Sequence, residues 1–188
     1  MKISEADILI VPGLGNSGEG HWQRRWAERF STGRVVEQDE WDRPLLPDWT
    51  ARLQREITNA TRPVVLVGHS LGVSTLVHTA QLLHDTKVRG ALLVSPPDLE
   101  SETVIADLPH EVRSFRNVPR DPLPFPSLLV ASTNDSYVSV DKAVDMSTAW
   151  GSELHLAGEA GHINVASGHG PWPEGLLMFT RLMQRLKL

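Results

Sequence analysis

The chain has 188 residues, 40% hydrophobic and 22% charged, with a formal net charge of −5 and no cysteine. That length suits one domain with a real core, and the composition is that of an ordinary globular protein. The acidic balance gives no electrostatic footprint for nucleic acid or an anionic membrane, and the missing thiols exclude disulfides, thiol catalysis and thiolate metal sites.

Taken in order, the residues alternate between strand and helix patterns. The opening Met1-Lys2-Ile3-Ser4-Glu5-Ala6-Asp7 is no secretory signal, since it carries acids and lacks a long apolar core. No later run approaches a membrane span, so a cytoplasmic protein is expected. Residues 8–11 form a short apolar strand stopped by Pro12-Gly13, and a Gly-rich loop runs on to Gly20. Trp22, Trp26 and Phe30 then recur at the spacing of one helix face. Residues 34–37 read as a second strand, and residues 47–59 as a helix with Trp49, Leu53 and Ile57 inward. Residues 63–67 are a third strand, apolar enough to be buried on both faces. A helix after Ser70 turns Val73, Leu76, Val77, Ala80 and Leu83 inward. Val88–Val94 and Ser127–Ala131 read as strands, Val140–Trp150 as a helix and residues 154–156 as a weak sixth strand. A last helix runs from near Gly175, with Leu176, Phe179, Leu182, Met183 and Leu186 on one side. The expectation is an α/β fold of about six mostly parallel strands with helices on both faces, forming a single domain over residues 1–188. No repeat or linker interrupts it. The least regular stretch is 96–126, with seven prolines in 31 residues. It is too long for an ordinary connection, so it is either a packed cover or a mobile loop.

The sharpest signal is Gly68-His69-Ser70-Leu71-Gly72, between the apolar run at 64–67 and a helical pattern. It fits the nucleophile elbow, in which a strained turn lifts a Ser to the sheet edge beneath the positive end of a helix. Flanking glycines belong there because side chains would collide with the strand and helix. In a parallel sheet the ligand site lies at the carboxyl ends of the strands. Those ends carry Gly13-Leu14-Gly15-Asn16-Ser17, then Ser70, then Ser132-Thr133-Asn134-Asp135, then Gly161-His162-Ile163-Asn164. A serine hydroxyl needs a base within hydrogen-bond reach, and the base needs a carboxylate on its other nitrogen. Ser70, His162 and Asp135 supply these in the chain order Ser, Asp, His of the α/β-hydrolases. The backbone N–H groups of Leu71 and Leu14 are the expected oxyanion donors. Gly13, Gly15, Asn16, His21 and Trp172 are candidates for the pocket.

The residues that carry a family resemblance run from end to end. They are Pro12-Gly13-Leu14-Gly15 with His21-Trp22 behind it, Gly68 to Gly72, S-T-N-D-S-Y-V from Ser132, and G-H-I-N-V-A-S-G-H-G-P-W-P-E-G from Gly161. On these the chain resembles the small serine hydrolases related to retinoblastoma-binding protein nine and the bacterial YdeN-type proteins. The resemblance implies a minimal α/β-hydrolase fold, a serine hydrolase activity and Ser70, Asp135 and His162 as the triad. Mammalian members of that family are associated with retinoblastoma-protein binding through an L-x-C-x-E peptide. A chain without cysteine cannot hold that motif.

Competing readings exist at each position. Ser70 could be a plain helix cap, although a cap does not need glycine on both sides. Asp135 sits in turn-like sequence, and Asp98 after the fourth strand is a second candidate acid. His169 shares a Gly-rich stretch with His162. His69 is expected to point away from the nucleophile and pack on a neighbouring loop, while His78, His84 and His110 read as surface or helix-face residues. His155, His162 and His169 are spaced by seven, but the glycines between them rule out one helix and with it a metal site. Gly13-Leu14-Gly15-Asn16-Ser17-Gly18, with Glu37 beyond, also fits a dinucleotide-binding loop. The six Trp residues raise a further alternative, a hydrolase fold used for protein interaction, but most lie at core spacing. The expected function is hydrolysis of a small ester, thioester or amide through an acyl-enzyme, with a small-molecule acyl substrate and no cofactor. Oligomeric state leaves no signal.

Overall fold

The computed structural model describes residues 1–83 and 87–186. Six strands make one sheet: β1 (Asp7–Val11), β2 (Gly33–Val35), β3 (Val64–His69), β4 (Val88–Val94), β5 (Ser127–Ala131) and β6 (Glu153–Leu156). Their order is β2-β1-β3-β4-β5-β6, and every neighbouring pair is parallel. The helices are α1 (Trp22–Arg29), α2 (Leu46–Asn59), α3 (Leu71–Ala80), α4 (Glu102–Ala106), α5 (Val140–Trp150) and α6 (Pro173–Arg185). None of the described helices is long and apolar enough to cross a membrane.

Alternate strand residues feed two cores. Leu9, Leu66, Leu93 and Leu129 face α2, α3 and α5. Ile8, Ile10, Val65, Val67, Leu92 and Val130 face α1 and α6. A continuous apolar run therefore marks strands covered on both sides, as the 64–67 stretch does. A third cluster of Trp49, Leu71, Leu99, Ile105, Val112 and Phe115 ties the 96–126 segment to the elbow end of the sheet. That segment contains α4 and a 3-10 turn over His110–Phe115, with Val112 and Phe115 fully buried.

Several boundaries shift. The second strand is Gly33–Val35 rather than 34–37, because β2 has only β1 beside it and its ladder starts opposite Ile8. The third strand runs on through Gly68 and His69, since β4 continues to pair with both. The last helix starts at Pro173, where a missing N–H costs nothing in the first turn. The helix after Ser70 stops at Ala80, short of Leu83, which is only partly buried.

Candidate active site

The elbow is built by close backbone approaches. Ser70 has φ 53° and ψ −126°, and its N–H donates to Val94 O (2.9 Å). A Cβ on Gly72 would lie 2.1 Å from Val11 O, so α3 can rest on the end of β1 only with glycine there. A Cβ on Gly68 would meet the Val73 backbone at 3.2 Å, so this glycine lets the helix fold back over its strand. Gly13 is equally confined, its Cβ position lying 2.9 Å from Ser70 Cβ and 3.2 Å from Leu71 N. The first loop therefore lies directly against the elbow.

Ser70, Asp135 and His162 are brought together. His162 Nε2 is 2.9 Å from Ser70 Oγ, and His162 Nδ1 lies 3.0 and 2.9 Å from the two Asp135 carboxylate oxygens. The Asp135 side chain is fully buried and also accepts from the Tyr137 N–H at 2.9 Å. A carboxylate can only accept, so Nδ1 carries the proton and Nε2 faces the hydroxyl with its lone pair. Asp98 pairs with Lys142 (3.5 Å), and it is Asp135 that His162 Nδ1 meets. His169 pairs with Ser167 Oγ at 3.3 Å, and His155 lies on β6. Among the described residues no group of acidic or imidazole side chains is arranged to hold a metal ion.

Other histidines pack around His162. The His69 ring lies 5.1 Å from that of His162 and 4.9 Å from that of His21. His69 does pack on a neighbouring loop, as its position before Ser70 suggests, with its Nε2 2.9 Å from His162 O, but it also lines the cavity. Burial, helped by the nearby His162 charge, lowers the His21 pKa to about 4. Burial likewise pushes His69 well below the usual histidine range, with His162 and His21 adding to it. His78 lies on α3, half-buried against Phe115 O, as a helix-face residue, and His84 lies outside the described residues.

A cavity of about 340 Å³ opens over Ser70 and His162. Gly13, Leu14, Asn16 and His21 line it from the first loop, and Leu71 from the elbow. Leu71 opens α3, where the first N–H groups have no partner within the helix. Among the described residues neither the Leu71 nor the Leu14 amide donates to an acceptor, so both are free for a ligand oxygen. Two expected pocket residues fall elsewhere. Gly15 stands at the tip of its turn, exposed, with φ 73° and its N–H on Trp41 O. Trp172 is buried, 5.0 Å from the Trp22 ring and 6.0 Å from that of Trp26, beneath the sheet face that α6 covers. Tyr137, Pro97, Leu108, Val112 and Asn164 also line the cavity, beyond the expected pocket residues. Tyr137 carried a signal, being the lone tyrosine and two residues from Asp135, and its ring lies 4.5 Å from that of His162. Leu108 and Val112 carried none, because only the folding of the 96–126 segment brings them over the elbow. The dinucleotide alternative needs the glycine approach at residue 13 for a pyrophosphate, and the elbow occupies that approach instead. Its acid, Glu37, is exposed and paired with Arg24 at 3.4 Å.

A parallel sheet wrapped by helices, with a Ser on a strained strand-to-helix turn facing an imidazole, defines a minimal α/β-hydrolase fold with the makings of a serine hydrolase. A family model described as Serine hydrolase matches residues 8–181, and the chain belongs to that family. Among solved structures, a YdeN-like hydrolase from Pectobacterium atrosepticum is similar at 34% identity and a TM-score of 0.82, covering 95% of this chain and 91% of that one. The ydeN gene product of B. subtilis is similar at 18% identity and a TM-score of 0.75, over 96% of this chain and 100% of that one. Est1E from Butyrivibrio proteoclasticus, solved with ferulic acid, shares the fold at 14% identity and a TM-score of 0.66, over 91% and 88% of the two chains. No curated protein matches the chain by sequence. The protein is a serine hydrolase.

Proposed function

We propose that Ser70, His162 and Asp135 act as nucleophile, base and orienting acid in acyl transfer to water, with residues 1–188 as one catalytic domain. The observation that carries this reading is the pair of contacts on one imidazole: Nε2 at 2.9 Å from Ser70 Oγ and Nδ1 at 2.9 Å from Asp135. His162 takes the Ser70 proton as Oγ attacks the carbonyl carbon. The carbonyl oxygen, now negative, is held by the Leu71 and Leu14 N–H groups, each worth on the order of 3 kcal/mol in the transition state. The imidazolium then protonates the leaving alcohol, thiol or amine. Water, deprotonated by the same imidazole, attacks the acyl-enzyme and restores Ser70.

The substrate we infer is a compact, uncharged acyl ester or thioester, with amides as slower substrates. Its acyl part would meet Leu14, Leu71, Pro97, Leu108 and Val112, and its polar edges Asn16, His21, Tyr137 and Asn164. No Asp, Glu, Lys or Arg is among the described residues that line the cavity. A charged acyl group would shed water there and meet no opposite charge.

A fluorophosphonate probe tests the nucleophile. Wild type should be labelled at one site and should hydrolyse p-nitrophenyl acetate. Ser70→Ala should lose both, by three orders of magnitude or more in rate, on the order of what a missing nucleophile costs. Labelling that persists in Ser70→Ala would sink the assignment.

A further inference from the structure

The loop that carries His162 is held mostly by side chains from other parts of the fold. Ala160 N–H donates to Ser132 Oγ at 2.9 Å, and Gly161 N–H to Asn134 Oδ1 at 2.7 Å. The next two carbonyls accept: His162 O lies 2.9 Å from His69 Nε2, and Ile163 O lies 2.9 Å from Trp22 Nε1. The two acceptors flank a strained point, since Ile163 has φ 48°. A β-branched residue rarely enters the left-handed region, and such strain persists only where the surroundings over-determine it.

The two donors come from rigid places. Trp22 opens α1 with its ring fully buried, 4.8 Å from Trp26 and 5.0 Å from Trp172. His69 is the last residue of β3, adjacent to Ser70, so the strand that aims the nucleophile also grips the carbonyl of its partner. A carbonyl only accepts, so His69 must carry its proton on Nε2. Burial keeps that ring in a neutral, donating form.

We propose that His69 and Trp22 are positioning residues whose two donated hydrogen bonds hold the strained His162–Ile163 backbone and so keep the His162 imidazole on Ser70 Oγ. The proposal rests on the reading of His162 as the base. Without the donors, the backbone at 163 would relax toward negative φ and swing the ring away. A displacement of about 1 Å at that distance costs on the order of a hundredfold in rate.

The test compares wild type with His69→Gln, His69→Leu and Trp22→Phe. Gln keeps an N–H near the Nε2 position, Leu removes it, and Phe keeps the aromatic packing without the donor. Each is measured for p-nitrophenyl acetate kinetics, for fluorophosphonate labelling rate, and for folding by thermal melting and near-UV circular dichroism. His69→Leu should lower kcat by about tenfold or more with KM within about twofold, and slow labelling in proportion. His69→Gln should restore kcat to within about threefold of wild type, and Trp22→Phe should lower it by about fivefold. A kcat within twofold of wild type in His69→Leu or in Trp22→Phe overturns the proposal for that residue. Equal losses in the Gln and Leu variants overturn the donated bond as the cause. If His69→Leu does not fold, a His69→Gln kcat more than about threefold below wild type overturns the role of His69, and Trp22→Phe decides for Trp22. A wild type that the probe does not label, or a Ser70→Ala that it does, fails the triad reading instead, so the two failures read apart.

Discussion

Ser70 occupies a backbone conformation, φ 53° and ψ −126°, that a non-glycine residue adopts only when neighbours force it. Gly72 supplies the force by letting α3 pack its first turn onto Val11 and Pro12 O, contacts that a Cβ would close to 2.1 and 2.6 Å. Both blocking atoms are backbone in a central strand and its turn, so neither can yield cheaply. Gly72→Ala should therefore cost about 3 kcal/mol or more, the upper range for overpacking. For a chain of this size that lowers Tm by about 6–12 °C. Gly18→Ala, with nothing within 4 Å of the added carbon, should stay within about 0.5 kcal/mol of wild type. Equal melting points for the two variants would show that the elbow tolerates the methyl. This residue scale was the most legible in the sequence, because spacing and chemistry both point at Ser70, Asp135 and His162. The grip of His69 and Trp22 on the 162–163 carbonyls was not legible, since a side chain bonding to backbone far away in sequence leaves no motif.

The elements show the same division. Central strands β3, β4 and β5 are readable because burial on both faces demands an unbroken apolar run. The edge strand β2 is less so, with all three residues half-buried and its limits set by where β1 offers partners. The 96–126 segment is the hardest, since its seven prolines forbid long helices and hide the short ones. Its packing still has a consequence that can be measured. Leu108 and Val112 reach from it to wall the cavity, so under the acyl-transfer mechanism we propose it would limit how long an acyl chain can enter. Leu108→Trp should lower kcat/KM for p-nitrophenyl butyrate about tenfold, the scale of a lost or blocked apolar contact, and for the acetate by less than about threefold. The wild type should also prefer the butyrate over the mono-p-nitrophenyl ester of succinate, whose carboxylate finds no cation in the lining. An unchanged butyrate-to-acetate ratio in Leu108→Trp would place the acyl chain elsewhere.

At the scale of the molecule, parallel order brings the carboxyl ends of β1, β3, β5 and β6 to one side of the sheet, and a column of imidazoles fills the space between them. That arrangement couples stability to pH. His21 titrates at about 4 in the folded protein, while an unfolded histidine titrates near 6.5. His69 and His78 are displaced downward as well, both mainly by burial. Between about pH 6.5 and 4 the unfolded chain therefore binds protons that the folded chain refuses, so stability is lost as pH falls through that window and is intact above it. For His21 alone the loss between pH 7 and pH 4.5 comes to about 2.5 kcal/mol. Urea unfolding at those two pH values should show wild type losing about that much more than His21→Gln, which cannot titrate. Equal losses in the two proteins would mean that His21 takes up its proton in the folded state as readily as in the unfolded one. Acid should thus impair the enzyme through its fold, because protonation of the buried imidazoles behind Ser70 favours unfolding. Activity that falls in step with the urea midpoint is lost by this route, and activity lost at a pH where the midpoint has not moved is lost by another.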